Sequence, residues 1–259
     1  MKILVCVKQV ANPETSLEAD PDGRWIQESD DVEFRLNRFD EYALEEAMLI
    51  KEAFPDVTID AVSVGPLRAG EAVKQALSKG ADNGIHILRD EKGYCRADTT
   101  AQLISRYAGS TSYDLILAGV MAEDDMLCQV GPMVASLLSL PCAVSVISEK
   151  LDVENHVVAV DCEMEGGMIE KAVLTLPAVL TIQSGINRPR YPSLSNILRA
   201  NAQELIVVEA DCPENDPLKE ALFSFKRPEK STRTILLEGT AEEKAEQLIK
   251  LFHQRSLLK

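Results

Sequence analysis

The chain has 259 residues, with 27 Lys+Arg against 42 Asp+Glu, a formal net charge of −15 at pH 7 and a mean hydropathy of −0.06. That acidity excludes the basic footprint a nucleic-acid binder needs to displace condensed counterions, and it disfavours docking on an anionic membrane surface for the same reason. A hydrophobic content of 46% is that of a globular protein and rules out disorder along the whole chain; the length suits one or two domains of roughly 150 residues, or one large α/β domain.

Ile3 to Val7 is an apolar run of strand length, as expected of a strand buried on both faces. Residues 11–31 carry Asn12-Pro13 and Pro21-Asp22-Gly23 and read as loop or hairpin. Asp40 to Phe54 has helical spacing of Ala43, Leu44, Ala47 and Ile50, with Asp40 and Glu41 suiting the positive end of the helix dipole. Val57 to Val64 reads as a strand, Ala69 to Lys79 as a helix closed by Gly80, and Gly84 to Leu88 as a strand. Ala97 to Ala108 is a helix, Leu115 to Ala118 a buried strand, and Gly131 to Leu140 a helix stopped by Pro141. Ala143 to Val146 is a further strand candidate. Strands alternating with helix-length crossovers predict a doubly wound, mostly parallel α/β sheet, whose ligands bind beyond the carboxyl ends of the strands.

The pattern changes after Glu149. Val157 to Glu163 and Met168 to Leu176 predict a β-hairpin around Gly166-Gly167, and Pro177 to Gln183 is apolar and extended. Residues 187–201 form an irregular segment followed by a short helix. Residues 209–230 read as a linker, and Thr240 to Leu258 as an amphipathic helix whose Thr240 and Glu243 have capping-box spacing. That helix packs either on its own domain or on a partner. The expected division is an α/β domain over residues 1–205 and a linker with C-terminal helix over 206–259.

Chemistry-bearing motifs are few. The six cysteines lie at least 14 residues apart, so no C-x-x-C exists and the usual zinc, iron–sulfur and thioredoxin signatures are excluded. Cys6 sits in an apolar run and reads as a buried reduced thiol. No leader is read in the short opening run, and no apolar stretch reaches the roughly 18–20 residues of a membrane span. The chain is expected to be cytoplasmic, with no direct membrane insertion. No G-x-G-x-x-G, G-x-x-x-x-G-K-[ST], H-E-x-x-H or G-x-S-x-G is present, and His86, His156 and His253 have no evident catalytic partner.

Three constellations remain. Val7 to Val10 ends the first strand, and Asn37-Arg38-Phe39-Asp40 opens the first helix; a strand end and an amide there can hydrogen-bond an adenine edge or ribose, or simply form a turn and a cap. Gly119 to Gly131 follows a strand and feeds a helix N-terminus, which offers N–H groups to a phosphate. Glu123-Asp124-Asp125 place negative charge at the same point. Glu163 to Gly167, Leu176 to Thr181 and Asn187 to Leu194 read locally as a turn and a loop.

Taken together, their order resembles the electron transfer flavoprotein β subunit, from Met1 to about Asn201. The elements that carry it are N-x-F-[DE]-x-x-A-x-E-E-A at Asn37–Ala47, S-x-G-P at Ser63–Pro66 and G-A-D at Gly80–Asp82. E-x-[DE]-G-G-x-x-E at Glu163–Glu170, followed by L-P-A-V at Leu176–Val179, and N-x-P-R-Y-x-S-L at Asn187–Leu194 complete the set. The resemblance implies an adenine-nucleotide α-hydrolase-like fold and a heterodimer in which the α subunit holds most of an FAD. Such a pair carries electrons from acyl-CoA dehydrogenases of fatty acid oxidation, or related flavoenzymes, to a membrane-side acceptor. The β subunit alone has no turnover, and it holds AMP or, in bifurcating members, a second FAD.

Carried onto this sequence, the resemblance implies a nucleotide site of Cys6, Asn37, Arg38, Phe39, Asp40, Val64, Gly119, Met121, Ala122, Asp124, Asp125, Gln129 and Val130. It implies that the Ile186–Arg199 loop meets the partner flavoenzyme, with Leu194 as its anchor and Arg190 and Tyr191 at the loop base or the subunit interface. It places Glu163 near the flavin, and it implies no metal. The chain departs from the AMP-binding pattern by lacking its lysine, third aspartate and threonine, and from the bifurcating pattern by Asp125, Met126 and Leu127, although Gln129-Val130-Gly131-Pro132 is shared. A carboxylate and two apolar side chains are poor company for a phosphate, so AMP, a second FAD and no ligand all stay open, AMP ranking first. Arg38 is expected to offset part of the Glu123–Asp125 charge. The alternative is an adenine-nucleotide-binding α/β module without a redox role, which explains the first 150 residues but not Glu163 to Leu194.

Overall fold

A computed structural model describes residues 1–23, 25–29, 31–89, 93–210, 226 and 234–258. It divides into two compact units, Met1–Phe225 and Lys226–Lys259.

In the first unit, β1 (Lys2–Cys6) is followed by a short antiparallel ribbon of β2 (Gln9–Ala11) and β3 (Phe34–Leu36), then α1 (Arg38–Ala53). Next come β4 (Thr58–Gly65), α2 (Gly70–Lys79), β5 (Asn83–Leu88), α3 (Ala97–Ser110), β6 (Leu115–Gly119) and α4 (Val130–Leu138). The chain continues through β7 (Cys142–Asp152), β8 (Val157–Glu163), β9 (Ile169–Thr175), β10 (Ala178–Ile182), α5 (Leu194–Ala202) and β11 (Ile206–Glu209). The main sheet has nine strands in the order β11-β5-β4-β1-β6-β10-β7-β8-β9, parallel from β11 to β7 and antiparallel across β7, β8 and β9.

The sheet is buried on both faces because its central strands are apolar at successive positions. Ile3 and Val5 point to a core shared with α1 and α2 through Leu44, Ala47 and Leu77. Leu4 and Cys6 point to the opposite core, built with α3 and α4 through Ile104 and Val134. Each fully buried aliphatic side chain contributes roughly 1.5–3 kcal/mol, so the two cores fix β1, β4, β6 and β10 as the rigid centre. Successive connections run outward from β1 through β4 to β5, and then cross back to β6 on its other side. The direction of winding therefore reverses between β1 and β6, and a crevice opens at their carboxyl ends.

Three features differ from the sequence reading. β7 runs well beyond Val146, because its outer half pairs only with β8, where a polar and half-exposed strand is tolerated. The stretch after Pro177, read only as apolar and extended, inserts as β10 between β6 and β7. Ile206–Glu209, expected to begin the linker, is instead an edge strand on β5, and the first compact unit runs to Phe225 rather than stopping at 205. The anticipated linker, residues 209–230, lies almost wholly outside the described residues. Gly166 and Gly167, at φ +74° and +75°, make the β8–β9 turn in a backbone region that disfavours side chains.

In the second unit, α6 (Ala241–Gln254) starts at a capping box in which Thr240 and Glu243 bond each other's backbone, as expected. No α6 residue is buried. No described helix is long and apolar enough to cross a membrane.

At the amino ends of the strands, opposite the crevice, buried Asp60 accepts hydrogen bonds from Tyr113 Oη at 2.8 Å and Asn83 Nδ2 at 2.8 Å, and pairs with Lys2 Nζ at 3.0 Å. These bonds tie β1, β4, β5 and the entry to β6. Asp60→Ala leaves three donors without their acceptor and is expected to cost about 3 kcal/mol of stability, read by denaturant unfolding; a loss under about 1 kcal/mol contradicts a structural role for this network.

Candidate nucleotide cleft and recognition loop

The crevice is built where β1, β4 and β6 end. Cys6, Val7 and Lys8 follow β1, Val64 ends β4, and Ala118, Gly119 and Val120 end β6. Asn37 and Asp40 enter from the start of α1, and the 121–131 segment closes it from the far side. The β2–β3 ribbon brings α1 to this point, since Asn37 N donates to Lys8 O at 2.9 Å.

Asp40 holds the base together. Its Oδ2 accepts from Lys8 N at 2.7 Å and its Oδ1 from Gly119 N at 3.1 Å, so one carboxylate bridges the ends of β1 and β6. A Cβ at Gly119 would lie 2.5 Å from Asp40 Oδ1 and 2.6 Å from the Phe39 carbonyl carbon, so glycine is required for this approach. Burial pushes the Asp40 carboxyl up to about 7, against the pull of its two N–H donors. Burial, with Asp40 adding to it, pushes the neighbouring Cys6 thiol up to about 12, so Cys6 is a neutral wall of the cleft and not a nucleophile.

Asn37 stands at the N-cap of α1 but makes no cap bond there. It braces the facing loop instead: Nδ2 donates to Met121 O at 2.9 Å and Oδ1 accepts from Glu123 N at 3.1 Å. All three acids of the loop are paired. Lys8 Nζ meets Asp124 Oδ1 at 2.7 Å and Asp125 Oδ2 at 3.0 Å, and Arg35 Nη2 meets Glu123 Oε1 at 3.1 Å. Burial works against the Lys8 ammonium, yet Asp124 and Asp125 hold its pKa above the ordinary lysine range. Arg38 is exposed and approaches Glu123 Oε1 only to 3.8 Å, so the offset expected of it falls chiefly to Lys8 and Arg35. Met126 and Cys128 sit at φ +54° and +56°, a costly backbone for non-glycine residues, just before α4. Gln129 Oε1 is buried without a hydrogen-bond partner among the described residues.

Of the residues expected at this site, Cys6, Asn37, Asp40, Val64, Gly119, Met121, Ala122, Asp125, Gln129 and Val130 line the one cleft. Arg38, Phe39 and Asp124 do not line it; Phe39 backs Gly119, and Asp124 holds Lys8. Sequence reasoning set Lys8 in the Val7–Val10 strand end but did not count it among the nucleotide-site residues. It also left out Cys95, Ala97, Thr100 and Ile104, which come from α3 and the residues before it. Their spacing looks like any core-facing stripe.

The Ile186–Arg199 segment is a separate construction, anchored on the outer face of α1. Arg190 donates from Nε and Nη2 to the two Glu45 oxygens, both at 2.8 Å, and from Nη1 to Glu52 at 2.7 Å. Asn187 Nδ2 donates to Glu46 Oε2 at 2.7 Å and to Tyr42 O at 2.9 Å, and Lys79 Nζ donates to Arg190 O at 2.9 Å. Above this clamp, Tyr191 is 96% and Leu194 73% exposed. Leu194 opens α5, which Ser193 caps through Asn196 N. Glu163, at the end of β8, is exposed and accepts from Gln183 Nε2 at 3.1 Å.

Residues 25–213 match the model of the electron transfer flavoprotein domain. The chain is 35% identical to the electron transfer flavoprotein subunit beta of Methylophilus methylotrophus over 98% of both chains. It is 38% identical to the mitochondrial one of Arabidopsis thaliana over 79% of this chain and 80% of that protein, and 32% identical to the one of Bos taurus over 93% and 94%.

The Asp40 bridge predicts a pH signature. Its folded value, about 7, lies above the ordinary 3.8, so the folded state holds this proton more tightly than the unfolded one. Asp40 therefore lowers stability progressively as pH rises from about 4 to about 7. Asp40→Asn, unfolded by denaturant at several pH values, is expected to be less stable near pH 4 and to lose that part of the slope, so that its deficit shrinks toward pH 7; an unchanged slope contradicts the bridge being buried.

Proposed function

The chain belongs to the electron transfer flavoprotein β-subunit family, and from that premise we propose that it passes electrons from an acyl-CoA dehydrogenase-type flavoenzyme to a membrane-side acceptor. It does so only as a heterodimer with an electron transfer flavoprotein α subunit, and it turns nothing over alone. The α subunit holds most of the FAD, whose isoalloxazine supplies the redox chemistry. This chain's residues dock the donor and close the flavin site. Glu163, held by Gln183, lies beside the flavin edge and limits water there. The C-terminal helix α6 lies on the α subunit, with Leu248, Leu251 and Phe252 as its apolar contacts. The protein works in the cytoplasm, in keeping with the free thiols of Cys6, Cys95, Cys128, Cys142 and Cys162.

The observation that carries the docking role is the contrast between the loop's base and its tip. Arg190 is fixed by a bidentate pair to Glu45 and a further bond to Glu52, while Tyr191 and Leu194 project bare into solvent. An apolar side chain held out on a clamped segment is a binding anchor: its burial against a partner gains area without the cost of ordering the segment. Arg190 is therefore a positioning residue.

For the cleft, the residues fit part of a nucleotide. Val64, Ile104 and Val120 wall a space suited to a flat heterocycle. The loop that would face a phosphate fits poorly, because the Lys8 ammonium is already paired with two carboxylates.

In the co-purified heterodimer, Leu194→Ala is expected to slow flavin reduction by a reduced acyl-CoA dehydrogenase at least tenfold at limiting donor, a loss of about 1.4 kcal/mol or more, with the flavin spectrum unchanged. Arg190→Ala is expected to raise the donor concentration needed for half-maximal rate. Full rates for Leu194→Ala contradict the docking role.

A further inference from the structure

We propose that Lys74 is a positioning residue for donor docking: its ammonium holds the carboxyl end of α5 and thereby sets where Leu194, at the other end of that helix, meets the donor flavoenzyme. The inference rests on the reading of the Ile186–Arg199 segment as the docking element and adds a second support to it, on α2 rather than α1.

α5 has little of its own to keep it in place. It is nine residues long, and an isolated helix shorter than roughly 12 residues is marginal in water. Ala200 is its one buried residue, and it joins the core that Val73 and Leu77 of α2 line. Leu194 and Leu198, one turn apart, are 73% and 63% exposed, so the outer face of the helix gains little from burial.

The ties that locate α5 are polar, and they gather at its carboxyl end. Lys74 Nζ donates to the carbonyls of Ala200 at 2.9 Å, Asn201 at 3.3 Å and Gln203. An ammonium has three donors, and here each meets a carbonyl at the negative end of the helix dipole. Arg199 Nη2 adds a bond to Leu77 O at 3.0 Å, and Gln203 Nε2 one to Asp82 O at 2.7 Å. Every one of these partners belongs to α2 or to the turn that follows it. Lys79, further along α2, meets Arg190 O at 2.9 Å. α2 thus holds the segment before and after Leu194, while α1 holds the Arg190 side chain.

Among these ties Lys74 alone brings three bonds and a full charge to the end of α5. The Lys79 ammonium is shared with Glu41 at 2.8 Å, and Arg199 and Gln203 each contribute one bond. Leu194 stands six residues from Ala200, about 9 Å along the helix axis. A helix loosened at its base moves its far end most, so the anchor feels the loss of the Lys74 ammonium without touching it.

The test is flavin reduction by a reduced acyl-CoA dehydrogenase in the co-purified heterodimer, with Lys74→Met, Lys74→Arg, Leu194→Ala and the Lys74→Met/Leu194→Ala double variant. Lys74→Met is expected to raise the donor concentration for half-maximal rate about threefold, with the rate at saturating donor unchanged. Lys74→Gln is read in the same way should Lys74→Met fail to assemble. Lys74→Arg keeps a cation at the carbonyls and is expected to restore the parent value. Because Lys74 acts through Leu194, the double variant is expected to match Leu194→Ala alone, at about tenfold, where independent effects would multiply to about thirtyfold. With Leu194→Ala impaired, three results overturn the positioning role and leave the docking reading standing: unchanged half-saturation on loss of the Lys74 ammonium, multiplied effects in the double variant, or Lys74→Arg as impaired as Lys74→Met. Leu194→Ala at full rate overturns the docking reading, and this inference with it.

Discussion

The Asp40 carboxylate bridges two strand ends that the winding of the sheet would otherwise leave apart. β1 and β6 are hydrogen-bonded neighbours, but the chain leaves them toward different faces, so their carboxyl ends diverge into a crevice. Asp40 spans that divergence by accepting from Lys8 N and Gly119 N at once. The bridge requires a bare Cα at Gly119 and brings the first turn of α1 against both strands. Asn37, three residues earlier, then reaches across to the 121–123 backbone, and Lys8, whose backbone N–H serves Asp40, turns its ammonium to Asp124 and Asp125. The shape of the cleft's base follows from this one buried acid.

The same helix serves a second end. α1 carries Asp40 inward at its start, while Glu45, Glu46 and Glu52 on its outer side fasten Arg190 and Asn187. The cleft and the Ile186–Arg199 segment thus share one rigid element set by the apolar stripe of Ala43, Leu44, Ala47 and Ile50. Part of the charge excess of −15 has a structural place here. The acids on α1 fix the loop, and those of residues 123–125 set the electrostatics of the cleft.

Much of this was legible in the sequence where the signal is local. β1, β4 and β6 are near-continuous apolar runs, and α1 has the stripe of a helix packed on one face. The capping box of α6 is written in Thr240 and Glu243. What escaped is what depends on distant pairing. The insertion of β10 between β6 and β7 has no local mark. β11 is four residues long and half-exposed on an edge, too short for periodicity to speak. Glu123-Asp124-Asp125 read as a bare negative run, because Lys8, the residue that pairs with two of them, stands well over a hundred positions away in sequence. The cleft wall from α3 looked like core because apolar stripes facing a sheet and facing a ligand are alike in sequence.

Most direct for the central claim is the visible absorbance spectrum of the chain purified together with its α subunit, with flavin extracted and counted against protein. An electron-transfer β subunit requires an oxidised-flavin spectrum in the complex, with FAD recovered, and no bound flavin when this chain is expressed alone. A colourless complex, or a chain that does not associate with the α subunit, would contradict it.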